Sequence, residues 1–138
     1  MKIESAVPLA GRVLLAAIFL LSGFGKLAAH EATVGYINAV GLPFPELAYL
    51  GAVFVEIVGG VLLVVGYQAR YAAASLALFS LAAGVLFHGA IGDQNQFVHL
   101  LKNVAIAGGL LHVVAFGAGA FSLDARRSGL AQLAREPA

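Results

Sequence analysis

VFVEIVGGVLLVVG, residues 53–66, is apolar or glycine at thirteen of its fourteen positions, and the exception is Glu56. Counted from residue 47, this stretch has the length of about 20 residues that a helix needs to cross the hydrocarbon of a bilayer. Three other stretches have that length, at about 8–28, 71–91 and 97–117. Each is rich in Leu, Val, Ala and Gly, as membrane helices are. The expected fold is all-α, an integral membrane four-helix bundle with short interfacial helices.

The composition points the same way. Of 138 residues 61% are hydrophobic and 11% charged, with a mean hydropathy of +0.94. A soluble domain carries about 25% charged residues because its surface must be wet. Here lipid does the wetting, and no nucleic-acid partner is expected. The chain has no cysteine, which excludes disulfides, iron–sulfur ligation and thiol redox chemistry of its own. Residues 8–28 lack an A-x-A-like cleavage site, contain Arg12 and precede three more spans, so they read as a retained helix rather than a signal peptide. One transmembrane domain, 1–124, is expected, followed by a cytoplasmic amphipathic tail, 125–138.

Charge sets the orientation. Lys2, Arg12, Arg70, Arg126, Arg127 and Arg135 fall on one side of the four spans, and Lys26 and Lys102 on the other. Cytoplasmic flanks carry the excess of Lys and Arg, so both termini are expected to be cytoplasmic. The first connection is long, HEATVGYINAVGLPFPE at 30–46. Val34, Ile37 and Val40 recur there at about a helical turn, which predicts a short helix in the interface, stopped by Gly41. That segment is either a flap over the bundle or an ordinary linker. In the tail, Ser122 or Asp124 can cap a helix whose Leu123, Leu130 and Leu133 face lipid while its arginines reach phosphates. Ser128-Gly129 weakens it enough to suggest two short pieces.

Polar residues cluster by depth. Lys26 ends the first span, His88 ends the third, and His99, Lys102 and Asn103 begin the fourth, all near the outer surface. Glu56 lies deeper, with Gly59 and Gly60 below it. An Asp at a helix centre costs about 2.5–3.5 kcal/mol to insert, and a Glu a similar order. Its neighbouring Leu and Val residues offset this, which explains tolerance but not presence. Lys26 or Lys102 could supply a counter-charge, their stems crossing about one turn. The competing structural reading is an ion pair that fixes helix register and does nothing more. Glu56 is the candidate proton-exchanging group, and Lys26, Glu56, His88, His99, Lys102 and Asn103 form the candidate ligand-binding set.

The ligand is constrained by its neighbours. Lysines disfavour a bound cation, no H-x-x-E-H-like spacing occurs, and the histidines lie too near the surface for haem, so no metal and no intrinsic cofactor are expected. A quinone fits better: its carbonyls accept from Lys or His, its reduction consumes protons, and its tail needs a lipid-facing cleft. Gly23, Gly25, Gly59 and Gly60 would serve close helix packing or leave room for a ring.

GRVLLAAIFLLSGFGKL at 11–27, GLP at 41–43, EIVGGVLLVVG at 56–66, His88 and GAGAFSLD at 117–124, in that order, resemble a DoxX family membrane protein over about residues 8–124. Ala118 and Ala120 depart from the proline and basic residue usual before S-L-D. The resemblance implies a four-helix protein of the bacterial inner membrane, linked to oxidoreductase assemblies, quinone reduction and sulfur or oxidative-stress metabolism. It places Lys26, Glu56 and His88 at recurrent polar positions and Arg12 at the family's N-terminal arginine. The leading expectation is a quinone-interacting subunit of a membrane oxidoreductase, with redox cofactors on other membrane or peripheral subunits. The alternatives are a small proton-coupled transporter, for which four spans without an inverted repeat would need a homo-oligomer, and a structural subunit that recruits a soluble enzyme.

Overall fold

The computed structural model describes residues 3–133. Lys2, Arg135 and the end of the tail lie outside the described residues, as does the side chain of Leu133. Six helices and no strand occur among the described residues: α1 Ile3–Ala28, α2 His30–Ala39, α3 Pro45–Val65, α4 Ala69–His88, α5 Gln94–Phe116 and α6 Leu123–Leu133. Of these, α1, α3, α4 and α5 are long and apolar enough to cross a membrane.

The four long helices alternate in direction. α1 packs along α3, α3 on α4 and α4 on α5, while α5 returns to α1 over a much shorter contact. Leu14, Leu21, Phe24, Phe54 and Leu78 point outward and are exposed. Such a surface would drive association in water, whereas in hydrocarbon it is already solvated.

The packed core occupies only one half of the bundle. Ala16 and Phe19 of α1, Leu63 of α3, Ala73, Leu76 and Ala77 of α4, and Ala107, Leu110 and Val113 of α5 form it. All lie toward the end that carries α6, here called the base. Glycines let the helices close there. A Cβ on Gly59 would stand 3.0 Å from Leu76 Cγ, one on Gly60 2.8 Å from Leu20 Cγ, and one on Gly109 3.3 Å from Leu15 Cδ2. Gly23 is likewise closely packed, but Gly25 meets nothing within 4 Å, so of the four glycines singled out in the sequence three are packing positions and Gly25 is not.

The base is tied by side chains reaching backbone. Arg12, only 1% exposed, donates through Nη1 to Leu63 O (3.0 Å) and Val64 O (3.4 Å) and through Nη2 to Phe121 O (2.6 Å). It thereby fills carbonyls left open at the end of α3. Gly66 adopts a left-handed φ of 66° beside it, and a Cβ there would collide with Arg12 Nη1. Of the two residues expected to cap the tail helix, Ser122 does so: its Oγ accepts from Ala125 N at 3.1 Å. Asp124 caps α4 instead, accepting from Gln68 N (2.8 Å) and Ala69 N (2.9 Å). α6 runs unbroken through Ser128-Gly129, with Ser128 Oγ donating back to Asp124 O.

At the other end, α2 forms where Val34 and Ile37 suggested it. Ile37 is buried and Val34 half-buried, while Val40 stays exposed. Gly41, with φ 79°, ends the helix, and Pro45 starts α3 at a position where its missing N–H leaves no gap.

Candidate functional site

Above the core, the bundle is hollow. A cavity of about 620 Å³ lies between α1, α3, α4 and α5, with α2 across its end. Such a volume is in the usual range for a small-molecule site, about 300–1,000 Å³. Ala48 and Ala52 line α3 at one-turn spacing above Glu56, and Ala82 and Ala83 face them from α4. Aromatic rings close the rest: Phe19, Phe79, Phe87 and Tyr36, with the Tyr36 and Phe87 centroids 5.2 Å apart where α2 meets α4.

Glu56 enters this cavity from below and is 3% exposed. Lys26 Nζ stands 3.0 Å from Oε1 and 2.8 Å from Oε2. Both carboxylate oxygens thus lie within ion-pair distance of the one ammonium. Nζ also donates to Ser22 Oγ at 2.6 Å, one turn back on α1. Three oxygens therefore surround an ammonium with three protons, two of them from the carboxylate, so the pair is compensated within itself.

The remaining candidates divide. His88 lines the cavity, and its Nδ1 lies 2.7 Å from Gln96 Oε1. Asn103 lines it too, accepting from Ser80 Oγ (3.0 Å) and donating to His99 O (3.0 Å). His99 lies outside the lining, stacked on His88 with centroids 4.9 Å apart and planes at 24°. Lys102 is exposed and is not in the lining, so the second cation expected beside Glu56 is absent from the site. The reason is azimuth. Adjacent helical residues point about 100° apart, and Asn103 holds the inward position. Among the described residues no three His, Cys, Asp or Glu side chains converge as a metal site would require.

Several polar residues in or beside the cavity were not singled out in the sequence. Ser22 was findable, being four residues before Lys26 on the same helical face. Ser80 stands eight residues before His88, again on one face. Tyr49, which donates to Lys26 O at 3.3 Å and holds His30 edge-on at 4.7 Å, carried no such signal. His30 in turn meets Glu46 at 3.0 Å, closing α2 onto the start of α3.

Comparison with known proteins yields a family and two relatives. The sequence profile described as DoxX matches residues 7–89. Inner membrane protein YqjF of Escherichia coli (strain K12) is 31% identical over 123 residues, which cover 89% of this chain and 93% of that protein. Inner membrane protein YphA of the same organism is 34% identical over 125 residues, covering 86% of this chain and 88% of that protein. No solved structure matches.

Proposed function

We propose that this chain, which belongs to the DoxX family, holds the ring of a lipid-soluble quinone in the cavity beside Lys26 and Glu56. It is a multi-pass inner-membrane protein, and on this reading it works as a redox-linked subunit whose electrons come from a partner. The observation that carries the proposal is the buried Lys26–Glu56 pair, which gives a largely apolar cavity of ligand size one charged polar edge. A concave, mostly apolar cavity with a few convergent polar groups is the usual form of a small-molecule site. The cavity's volume and aromatic wall suit a six-membered ring.

A bound quinone supplies two-electron, two-proton chemistry. The chain's own residues do the rest. Ser22 and Lys26 hold Glu56 in one orientation, and the Phe19, Phe79 and Phe87 walls keep bulk water away. Glu56 is the group placed to take up or release a proton at a ring oxygen. The Lys and Arg distribution supports an arrangement with both termini cytoplasmic and the cavity toward the outer leaflet.

The test is mass spectrometry of gently purified protein for bound quinone, together with Glu56→Gln in its native membrane assembly. Quinone is expected to co-purify with both forms, while the variant's quinone-linked turnover falls and loses its pH dependence. If no quinone co-purifies and turnover and its pH profile are unchanged, Glu56 is a brace between α1 and α3.

A further inference from the structure

Asn103 lies diagonally across the cavity from Glu56, because the long helices follow one another around the bundle in the order α1, α3, α4, α5. Counted from the cavity end, Glu56 is the twelfth residue of α3 and Asn103 the tenth of α5, so their depths are similar. Three contacts fix the Asn103 amide. Its Oδ1 accepts from Ser80 Oγ at 3.0 Å, and Ser80 is 2% exposed. Its Nδ2 donates to His99 O at 3.0 Å, one turn back on α5. Gly84 of α4 leaves it room, since a Cβ there would stand 2.9 Å from Asn103 Cβ and 3.4 Å from Cγ. Turning the amide over would set Oδ1 against the His99 carbonyl, acceptor against acceptor, so only one orientation pairs both ends.

An amide nitrogen carries two protons, and the second on Asn103 Nδ2 has no partner among the described residues. Most other polar groups of the lining are already engaged. Thr33 spends its hydroxyl proton on Ala29 O and Ser80 its own on Asn103, while Lys26 and Glu56 compensate one another. His88 turns Nδ1 to Gln96 Oε1. The Tyr36 hydroxyl belongs to α2, which crosses the end of the cavity, and that residue is half exposed. Ser22 Oγ accepts from Lys26 and keeps its own proton to give. A neutral donor therefore stands on each long side of the cavity, Ser22 on the α1–α3 side and Asn103 on the α4–α5 side.

We infer that Asn103 is the second anchor of the ring ligand. Its free N–H donates to one ring carbonyl, the opposite carbonyl lies at the Ser22–Lys26–Glu56 edge, and Ser80 and Gly84 position the amide for the contact. This deepens the ring-binding reading above and rests on it. It selects ligands with carbonyls on opposite sides of the ring, because a single carbonyl reaches only one of the two helix pairs. It also makes the two oxygens unlike. The one beside Glu56 has a group that can exchange a proton with it, whereas the one at Asn103 receives a hydrogen bond from a proton that stays on nitrogen.

The test is infrared difference spectroscopy of decylubiquinone on the full chain in lipid nanodiscs, with empty nanodiscs as the reference. Carbon-13 at one ring carbonyl or the other lets each C=O stretch be read alone. A carbonyl that accepts a hydrogen bond absorbs at lower wavenumber than one surrounded by lipid. Both carbonyls are expected to be shifted in the unaltered chain. Asn103→Leu keeps the volume and removes the donor. It should return one carbonyl to its lipid position, leave the other shifted, and weaken retention of the probe about three- to tenfold. Ser80→Ala, which loosens the amide, should lessen that same shift and spare the other. A purely structural Asn103 would change retention without moving one band alone. A single shifted carbonyl in the unaltered chain overturns the inference, leaves the ring-binding reading standing, and needs no variant. Two carbonyls that stay shifted in a folded Asn103→Leu also overturn it. If decylubiquinone is not retained above empty nanodiscs, the ring-binding reading fails and the inference fails with it.

Discussion

Gly23 of α1 lies directly against Glu56 of α3: a Cβ on Gly23 would stand 3.3 Å from Glu56 Cβ and 2.7 Å from Ile57 Cγ1. The missing side chain is what brings the two helices close enough, one turn below Lys26, for the ammonium to meet the carboxylate. Gly23→Ala should push α3 outward and destabilise the bundle by about 1–3 kcal/mol, as overpacking does. Gly25→Ala is the control, since nothing lies within 4 Å of it; there the better helix propensity of alanine should leave stability unchanged or raise it by up to about 1 kcal/mol. Unfolding in mixed detergent measures both. Equal effects of the two substitutions would refute a packing role for Gly23.

The Lys26–Glu56 pair should behave as a unit. Breaking a buried pair from one side costs about 3–5 kcal/mol in soluble proteins, and interactions between membrane helices tend to be weaker. Lys26→Met strands a carboxylate that is 3% exposed, so it should harm stability more than Glu56→Gln, which leaves a partly exposed lysine. The double substitution should be less harmful than the sum. Strict additivity in the double-mutant cycle would remove the coupling.

Arg12 gives the corresponding prediction at the base. Its fork serves Leu63, Val64 and Phe121 carbonyls together, a geometry that a single ammonium does not reproduce. Arg12→Lys should therefore lose about 1–3 kcal/mol, the scale of one buried carbonyl left unfilled, and Arg12→Met more. Gly66→Ala should resemble Arg12→Met, because the new methyl group displaces the guanidinium. A fully stable Arg12→Lys in the same unfolding assay would show that the fork is dispensable.

Orientation can be read by labelling, because the chain has no native cysteine. Asn38 of α2 and Ser128 of α6 are both exposed, at opposite ends of the bundle. In spheroplasts, Asn38→Cys should react with a membrane-impermeant maleimide and Ser128→Cys should not. The reverse pattern would invert the topology drawn from the Lys and Arg count.

What the sequence disclosed and what it hid have separate physical causes. Spans are visible because hydrocarbon thickness imposes a length, and the depth of Glu56 and Lys26 follows from counting along each span. Azimuth is not visible in the same way. A membrane helix is apolar on its lipid face and its packed face alike, so no contrast marks which side turns inward. Lys102 was consequently placed beside Glu56 at a suitable height, whereas Asn103 one residue on faces the cavity. Asp124 shows a second limit. Its carboxylate caps a helix 55 residues earlier in the chain, and local capping rules see only the helix that follows. α2 was legible as a helix from the spacing of Val34 and Ile37, the two positions that turn inward. That it roofs a cavity rather than resting on lipid depended on Tyr49, His30 and Phe87, which no single stretch brings together.

The placement of the core has a mechanical consequence. Gly59, Gly60, Gly109 and the Arg12 fork clamp all the helices toward the base, while at the far end they are tied in pairs, α1 to α3 through Lys26–Glu56 and α4 to α5 through Ser80–Asn103, with the cavity between the pairs. Four stiff rods fixed at one end and hollow at the other behave as tongs with their pivot near the base. Splaying the tips by a small angle opens the hollow widely yet barely moves the pivot, so admitting a guest disturbs few of the close contacts that keep the protein folded. The lateral gap should open where the joint is least developed, between α1 and α5, whose short contact includes Leu15 against Gly109. A crosslink across the tips of those two helices would then close the tongs, and one across their base would leave the jaws free.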